Sequence, residues 1–395
     1  MRKFLLLIIL ISSISYADEI TFSKANNVTL HQAGVFHHLD TPGRKNISAN
    51  HEGIAVVWED NRTGKPHVYM AFKRYDQKNF AKTITISNTD FEAYEPTIIT
   101  YDKQQFLLAW EQNGQVWISL ANDKQVGKAV LLDSHNSSQV TLTMTPQGKT
   151  FACWIQNHRP NQQVVLSEIT LKNKQLKISQ PVIVDKSPAP RRQSYPSVTA
   201  TQEGIAIGWE DREHGHTRIY TSFSADGKNF TGKKLLNDLP PSRSVKYGRG
   251  TGATRVALAS DKKNMVVASW MDKRNFVGGY DIFAAVSSDG GRTYGKDEIV
   301  QDMLGENQPQ WHPAVAINQQ GKIYVAWDDP RDDSADIWLS YRQSPGWSDD
   351  QLVTPASGKG QQSNPSITFD PAGHLHIVWL DQTARGSRLR YAHQQ

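Results

Sequence analysis

The chain has 395 residues, 38% hydrophobic, 9% aromatic and 21% charged, with a formal net charge of +5. That balance excludes a disordered tail or an integral membrane protein and fits a globular fold. The one cysteine, Cys153, can form no internal disulfide and leaves no thiolate cluster for zinc or iron–sulfur, which excludes thiol redox chemistry.

Residues 1–17 read as a secretory signal. Met1-Arg2-Lys3 is cationic, Phe4 to Ile11 is an unbroken apolar run, and Ser15-Tyr16-Ala17 offers a small-residue cleavage site. The run is too short for a permanent span, and no later stretch approaches the roughly 20 apolar residues that a spanning helix needs. The expectation is an exported protein, periplasmic or secreted, with residues 18–395 forming one domain. Lys and Arg are scattered along it, which reads as a solvated surface rather than a nucleic-acid site.

After a strand-like segment at Asn27-Val28-Thr29-Leu30-His31, the chain repeats one unit seven times. Each copy carries an apolar run ending in tryptophan: IAVVWED at Trp58, FLLAWEQ at Trp110, TFACWIQ at Trp154, IAIGWED at Trp209, VVASWMD at Trp270, IYVAWDD at Trp327 and LHIVWLD at Trp379. The intervals run from 44 to 61 residues, enough for four short strands and their turns. Upstream lies a strand opened by Pro-x-apolar at Pro96, Pro196, Pro313 and Pro365; downstream come a third strand, as at Val68-Tyr69, and a fourth, as at Thr83 to Ser87. Alternating apolar residues support strands throughout. The reading is all-β: a seven-bladed β-propeller of four-stranded antiparallel blades. Because the chain ends just after the third strand of copy seven, the segment at 27–31 is expected to complete that blade and close the ring, pairing edges otherwise exposed.

The turn Ser287-Ser288-Asp289-Gly290-Gly291-Arg292-Thr293-Tyr294 resembles the Asp-box of bacterial neuraminidase repeats, S-x-D-x-G-x-T-W, found in sialidases and sialidase-like propellers. Shortened relatives stand at Ser224 to Phe230 and Asp76 to Phe80. With Trp-x-Asp-x-Arg and Asp281-Ile282-Phe283, the resemblance spans nearly the whole mature chain. It implies a propeller in which the box is a structural latch on the face opposite the active site. An exo-sialidase or related glycoside hydrolase is then one function, and a non-catalytic platform for a glycan, peptide or protein the other.

Repetition separates architecture from site. The seven tryptophans, and Asp60, Asp211, Asp272, Asp329 and Asp381 with Arg62, Arg212, Arg274 and Arg331 as partners, are read as blade architecture. Positions equivalent in geometry but unlike in chemistry are read as the site. Those 14 or 15 residues before each tryptophan are Arg44, Glu95, Gln139, Tyr195, Arg255, His312 and Asn364, at the rim of the central channel on the face of the loop after Trp. A carboxylate-bearing ligand suits Arg44 and Arg255, since guanidinium grips two oxygens at once. Arg44, Arg255, Tyr195 with Glu95, and Asp60 are similar in kind to a sialidase's arginines, nucleophile pair and acid. Sialidases have six blades, however, and Tyr195 falls in blade four, so none of those catalytic roles is carried over. No metal and no cofactor is expected: His37-His38 and His214-x-His216 read as exposed loop histidines, and the acidic run Asp328 to Asp336 as a solvated loop. A monomer is expected.

Overall fold

The computed structural model describes the chain except for residues 1–18, 41, 135, 189, 214–216, 238–251, 275–278, 303–307 and 344. The signal segment and the His214-x-His216 pair therefore lie outside the described residues. Seven antiparallel sheets follow one another along the chain, and the only helical element among the described residues is a 3-10 turn at Thr354–Ala356. Blade 2 shows the plan: inner strand Ala93–Thr100, second strand Phe106–Gln112, third strand Gln115–Ala121, outer strand Val130–Asp133. Outer strands are mostly two residues long, as at Ile84–Thr85 and Glu298–Ile299. Such brevity blunts the exposed edge of each blade. In blade 3 the long third strand Asn161–Lys172 pairs with both Gln175–Ile178 and Val182–Ile183, so the outer position is shared between two segments.

The N-terminal segment closes the ring. Asn26 and Asn27 pair antiparallel with Tyr391 and Arg390 of the final strand, Gly386–His393. Backbone bonds from Ser23 to His393 and from Val28 to Leu389, at 2.8 and 2.9 Å, extend the pairing on both sides. Contact therefore begins several residues earlier than the sequence pattern suggests.

The core is divided into seven apolar clusters, each lying between neighbouring blades and each built round one tryptophan. All seven indoles are at most 1% exposed. The spacing that defines the repeat is thus the spacing at which one large side chain per blade fills the inter-blade gap, and truncating any one costs about 3–5 kcal/mol.

A polar latch stands beside most of the indoles. Trp58 and Trp270 donate Nε1–H to Asp60 and Asp272 at 2.7 and 3.1 Å. The same carboxylates hold Arg62 and Arg274, whose guanidiniums lie over Tyr69 and Phe283 at 4.2 and 3.8 Å from the ring centres. In blade 6 Asp329 holds Arg331 over the Trp338 ring in the same way, without a bond from the Trp327 indole. Blade 4 departs from the expected pairing: Lys233, not Arg212, reaches Asp211 and covers Tyr220. Copy three has Gln156 in place of the aspartate, and Asp133 of the preceding blade accepts from both Trp154 and Gln156 at 2.8 and 2.7 Å. The carboxylate is retained although its place in the sequence changes.

The turn at 287–294 has the geometry of a latch. Asp289 accepts the backbone N–H groups of Arg292 and Thr293 at 3.0 and 2.9 Å, and Gly291 donates to Ser287 at 2.9 Å. A Cβ on Gly291, at φ 94°, would stand 2.4 Å from the Ala206 Cβ, so this close approach requires glycine.

Candidate functional site at the upper mouth of the channel

Every inner strand from blade 2 to blade 7 carries the same irregularity. Its register against the second strand slips between Tyr94 and Thr97, Ser138 and Thr141, Ser194 and Ser197, Thr254 and Ala257, Trp311 and Ala314, and Ser363 and Ser366. The bulged residues are Glu95, Gln139, Tyr195, Arg255, His312 and Asn364, all left-handed with φ between 48° and 59°. A non-glycine residue held there costs on the order of 1–3 kcal/mol and persists only where its surroundings fix it. Bulges re-aim side chains, and here six of them turn the six side chains toward one mouth of the channel. The prolines at 96, 196, 313 and 365 therefore sit inside the strands, immediately after the bulged residue, rather than at the strand starts; a missing N–H is tolerated at a bulge.

Five of the six bulges are secured from the blade before. Glu59, one residue after Trp58, accepts the Glu95 N–H; Glu111 accepts that of Gln139 at 2.5 Å, Glu210 that of Arg255 at 2.6 Å, and Asp328 that of Asn364 at 3.0 Å. Blade 3 has Ile155 at this place, and the Gln139 side chain accepts the Tyr195 N–H instead, at 2.6 Å. A sequence reading that weighs the aspartate two residues after tryptophan does not pick out these acids. The signal was present: an acid directly after Trp occurs in the blade preceding Glu95, Gln139, Arg255 and Asn364.

Blade 1 departs from the plan, and with it the placement of Arg44. Its inner strand is split into His37–His38, paired with Asp60 and Glu59, and Ile47–Ala49, paired with Val56 to Ile54. Instead of a bulge, residues 39–40 and 42–46 leave the sheet and cross the channel. Gly43 accepts from Thr141 at 2.8 Å, Lys45 accepts from the Ile98 N–H at 2.9 Å, and Asn46 donates to the Ser366 hydroxyl at 3.2 Å. The channel is plugged. Counting back from tryptophan placed Arg44 level with the other six, because an excursion and a bulge cannot be told apart by residue number.

Arg44 is the hub beneath the mouth rather than an open gripping group. Its side chain is 4% exposed and paired with Asp40, Glu95 and Glu111, and its Nε donates to the Val140 carbonyl at 3.2 Å. Asp40 also lies 3.9 Å from Arg255, whose guanidinium covers the Tyr195 ring at 3.4 Å from its centre. His312 bonds Asp328 at 2.8 Å, and the Asn364 amide donates to the Leu39 carbonyl at 3.0 Å. Through these contacts all seven positions singled out by the repeat join one network. Asp60, by contrast, is fully buried under Arg62 and belongs to the indole latch.

Carboxylates dominate the mouth. Burial pushes Glu111 up to about 8, with the neighbouring Glu95 charge adding to the rise against the pull of Arg44. Burial acts on Glu95 too, but Arg44 and the hydrogen bond from Glu111 outweigh it and hold Glu95 below the usual carboxylate range. The pair thus carries one proton near neutrality, on Glu111. Burial likewise raises Glu210, and the hydrogen bond to Glu59 raises His38. The acidic run at 328–336 is a solvated loop only in its middle, where Asp332 and Asp333 are exposed: Asp328, Asp329 and Asp336, at the strand ends, are buried, Asp328 serves the mouth, and Asp329 serves its own blade's latch.

Aromatic faces flank this network. Tyr94 and Trp311, each directly before a bulged residue, are both 36% exposed, and Trp311 packs against Tyr280 at 5.1 Å between ring centres. Phe91, on the connection into blade 2, is also exposed.

Among solved structures the chain is similar in fold to two lyases and a glycosidase. Polysaccharide lyase Uly1 superposes with a TM-score of 0.58 over 96% of this chain and 97% of its own, at 11% identity. Oligogalacturonate lyase from Vibrio parahaemolyticus gives 0.54 over 95% and 97%, at 10% identity. The α-L-arabinofuranosidase Arb93A from Fusarium graminearum gives 0.51 over 78% and 95%, at 12% identity. The likeness is one of fold. No family model and no curated protein sequence matches the chain.

Proposed function

We propose that the chain binds a glycan across the upper mouth of the plugged channel. The observation that carries this is the pairing of exposed aromatic faces, Trp311 on Tyr280 and Tyr94, with a ring of fixed hydrogen-bonding groups between them. Sugar rings present apolar C–H faces and hydroxyl edges, which such a surface meets with stacking and with carboxylate, amide and imidazole partners. Arg44 is spent on three carboxylates, so an acidic sugar finds its cation at Arg255, about a quarter exposed. Delivery outside the cytoplasm by residues 1–17 belongs to the same reading. N-terminal sequencing of the exported chain should then begin at Asp18.

The test is binding to an array of neutral and uronate-containing oligosaccharides by the wild type, Trp311→Ala and Arg255→Gln. Loss of binding in Trp311→Ala supports the site; loss confined to acidic sugars in Arg255→Gln supports a carboxylate-bearing ligand. Equal binding by all three proteins would overturn the assignment to this mouth.

A second reading, cleavage of the glycan, is favoured by the Glu95–Glu111 pair. One carboxyl that keeps its proton near pH 7 beside one that has lost it is the arrangement acid–base chemistry requires. Release of reducing ends by wild type and not by Glu111→Gln, with binding retained in both, would decide for the enzyme.

A further inference from the structure

The plug that closes the channel from above leaves a second chamber below it. This lower chamber, of about 470 Å³, opens on the face of the turns between first and second strands and is lined by Lys45, His51, Thr199, Ser260, Lys262 and Asp370, among others. Its charge is the reverse of the upper mouth's. Lys45 adjoins Arg44 in the plug, yet where Arg44 meets three carboxylates, Lys45 lines the chamber with Lys262. The carboxylate of Asp370 is already taken by His374 and His376, at 3.1 and 3.2 Å. The Lys262 ammonium donates to the Met144 carbonyl at 2.8 Å, a contact that leaves its charge unbalanced.

Two cations facing one confined space without a counter-charge raise each other's free energy, and an anion entering between them relieves it. Lys262 is open to the chamber's water, but that water is walled by the ring. Desolvation and then repulsion from Lys45 bring it down to about 7, and Lys45 is lowered by desolvation as well. Hydroxyls stand on the same wall: Thr199 and Ser260 bond one another at 3.0 Å. We propose that the lower chamber is an oxyanion site, in which Lys45 and Lys262 hold a phosphate or carboxylate group independently of the ligand at the upper mouth.

The protein is titrated calorimetrically with inorganic phosphate and, in a second arm, with glucuronate, separating a free anion from an acidic sugar. The expected result is saturable binding of at least one of them that is weakened about tenfold or more in Lys262→Gln and in Lys45→Gln; any glucuronate binding that is lost in Arg255→Gln and kept in both lysine variants belongs to the upper mouth. Thermal melts provide a second readout. In anion-free buffer Lys262→Gln should melt no lower than wild type, since it removes a repulsion, while the rise in midpoint that the anion gives wild type should vanish. Absence of saturation by either anion, or equal affinity in wild type and both lysine variants, would overturn the site.

Discussion

Glu210 Oε1 accepts two hydrogen bonds from the next blade at 2.6 Å each, from the backbone N–H of Arg255 and from the hydroxyl of Thr254. A carboxylate at the end of one sheet thus holds the strained backbone of its neighbour, and a side chain that lines the mouth is aimed by the blade before it. Replacing Glu210 by alanine leaves both donors in a buried setting without their acceptor, a loss of about 2–3 kcal/mol. Glu210→Gln keeps one carbonyl oxygen and should lose about half as much. Urea denaturation of the three proteins checks the order; an alanine variant within about 0.5 kcal/mol of wild type would mean that the Arg255 bulge holds itself.

Gly43 is the point at which the plug passes closest to the inner strands. It has φ 93°, and a Cβ there would lie 3.1 Å from the Val256 carbonyl oxygen and 3.3 Å from that of Pro196. Both carbonyls belong to inner strands and cannot move without disturbing the bulges at Tyr195 and Arg255. Gly43→Ala should therefore cost about 1–3 kcal/mol in left-handed strain alone and shift Arg44 relative to Glu95. Gly64, at φ 91° with open space around it, is the control that separates conformational strain from crowding.

Repetition made the ring legible in the sequence, because each blade must fill the same gap with the same indole: Trp58, Trp110 and the five that follow recur at blade spacing. It also exposed the bulged residues, since Glu95, Gln139, Tyr195, Arg255, His312 and Asn364 vary where everything round them is constant. What repetition could not show is what is done only once. The plug occurs in blade 1 alone, so Arg44 was aligned with strand residues when it belongs to a crossing loop, and Asp40 had no counterpart to call attention to it. The exchange of Gln156 for an aspartate was legible, but the compensating Asp133 was not, because the two meet across a blade boundary 23 residues apart.

Removal of residues 18–33 should lower the thermal midpoint sharply. The segment supplies the outer strand of blade 7 through Asn26 and Asn27, and its loss leaves the edge of Gly386–His393 bare. It also withdraws Val28 from the cluster of Trp58, and Ile20 from that of Trp379. Two of the seven inter-blade cores are thus opened by one deletion. Differential scanning calorimetry measures the effect; an unchanged midpoint would mean that the ring is held without this strand.

The proton shared by Glu95 and Glu111 gives stability a pH dependence of predictable sign. Glu111 titrates at about 8 in the fold, against about 4.3 in an unfolded chain. Between those values the folded state binds the extra proton, so the stability that Glu111 contributes is fully present below about pH 4.3 and is lost as pH rises to about 8. Above that both states are ionised and the difference is constant. The slope cannot exceed about 1.4 kcal/mol per pH unit for one group, and Arg44, which attracts the ionised form, shares in setting it. Glu111→Gln keeps an oxygen for the Gln139 N–H but has nothing to titrate. The unfolding free energy of wild type should therefore fall relative to this variant as pH is raised from 5 to 8, in chemical denaturation at fixed ionic strength. Parallel profiles over that window would show that Glu111 holds no proton at neutral pH, and with it would go the acid half of the proposed acid–base pair.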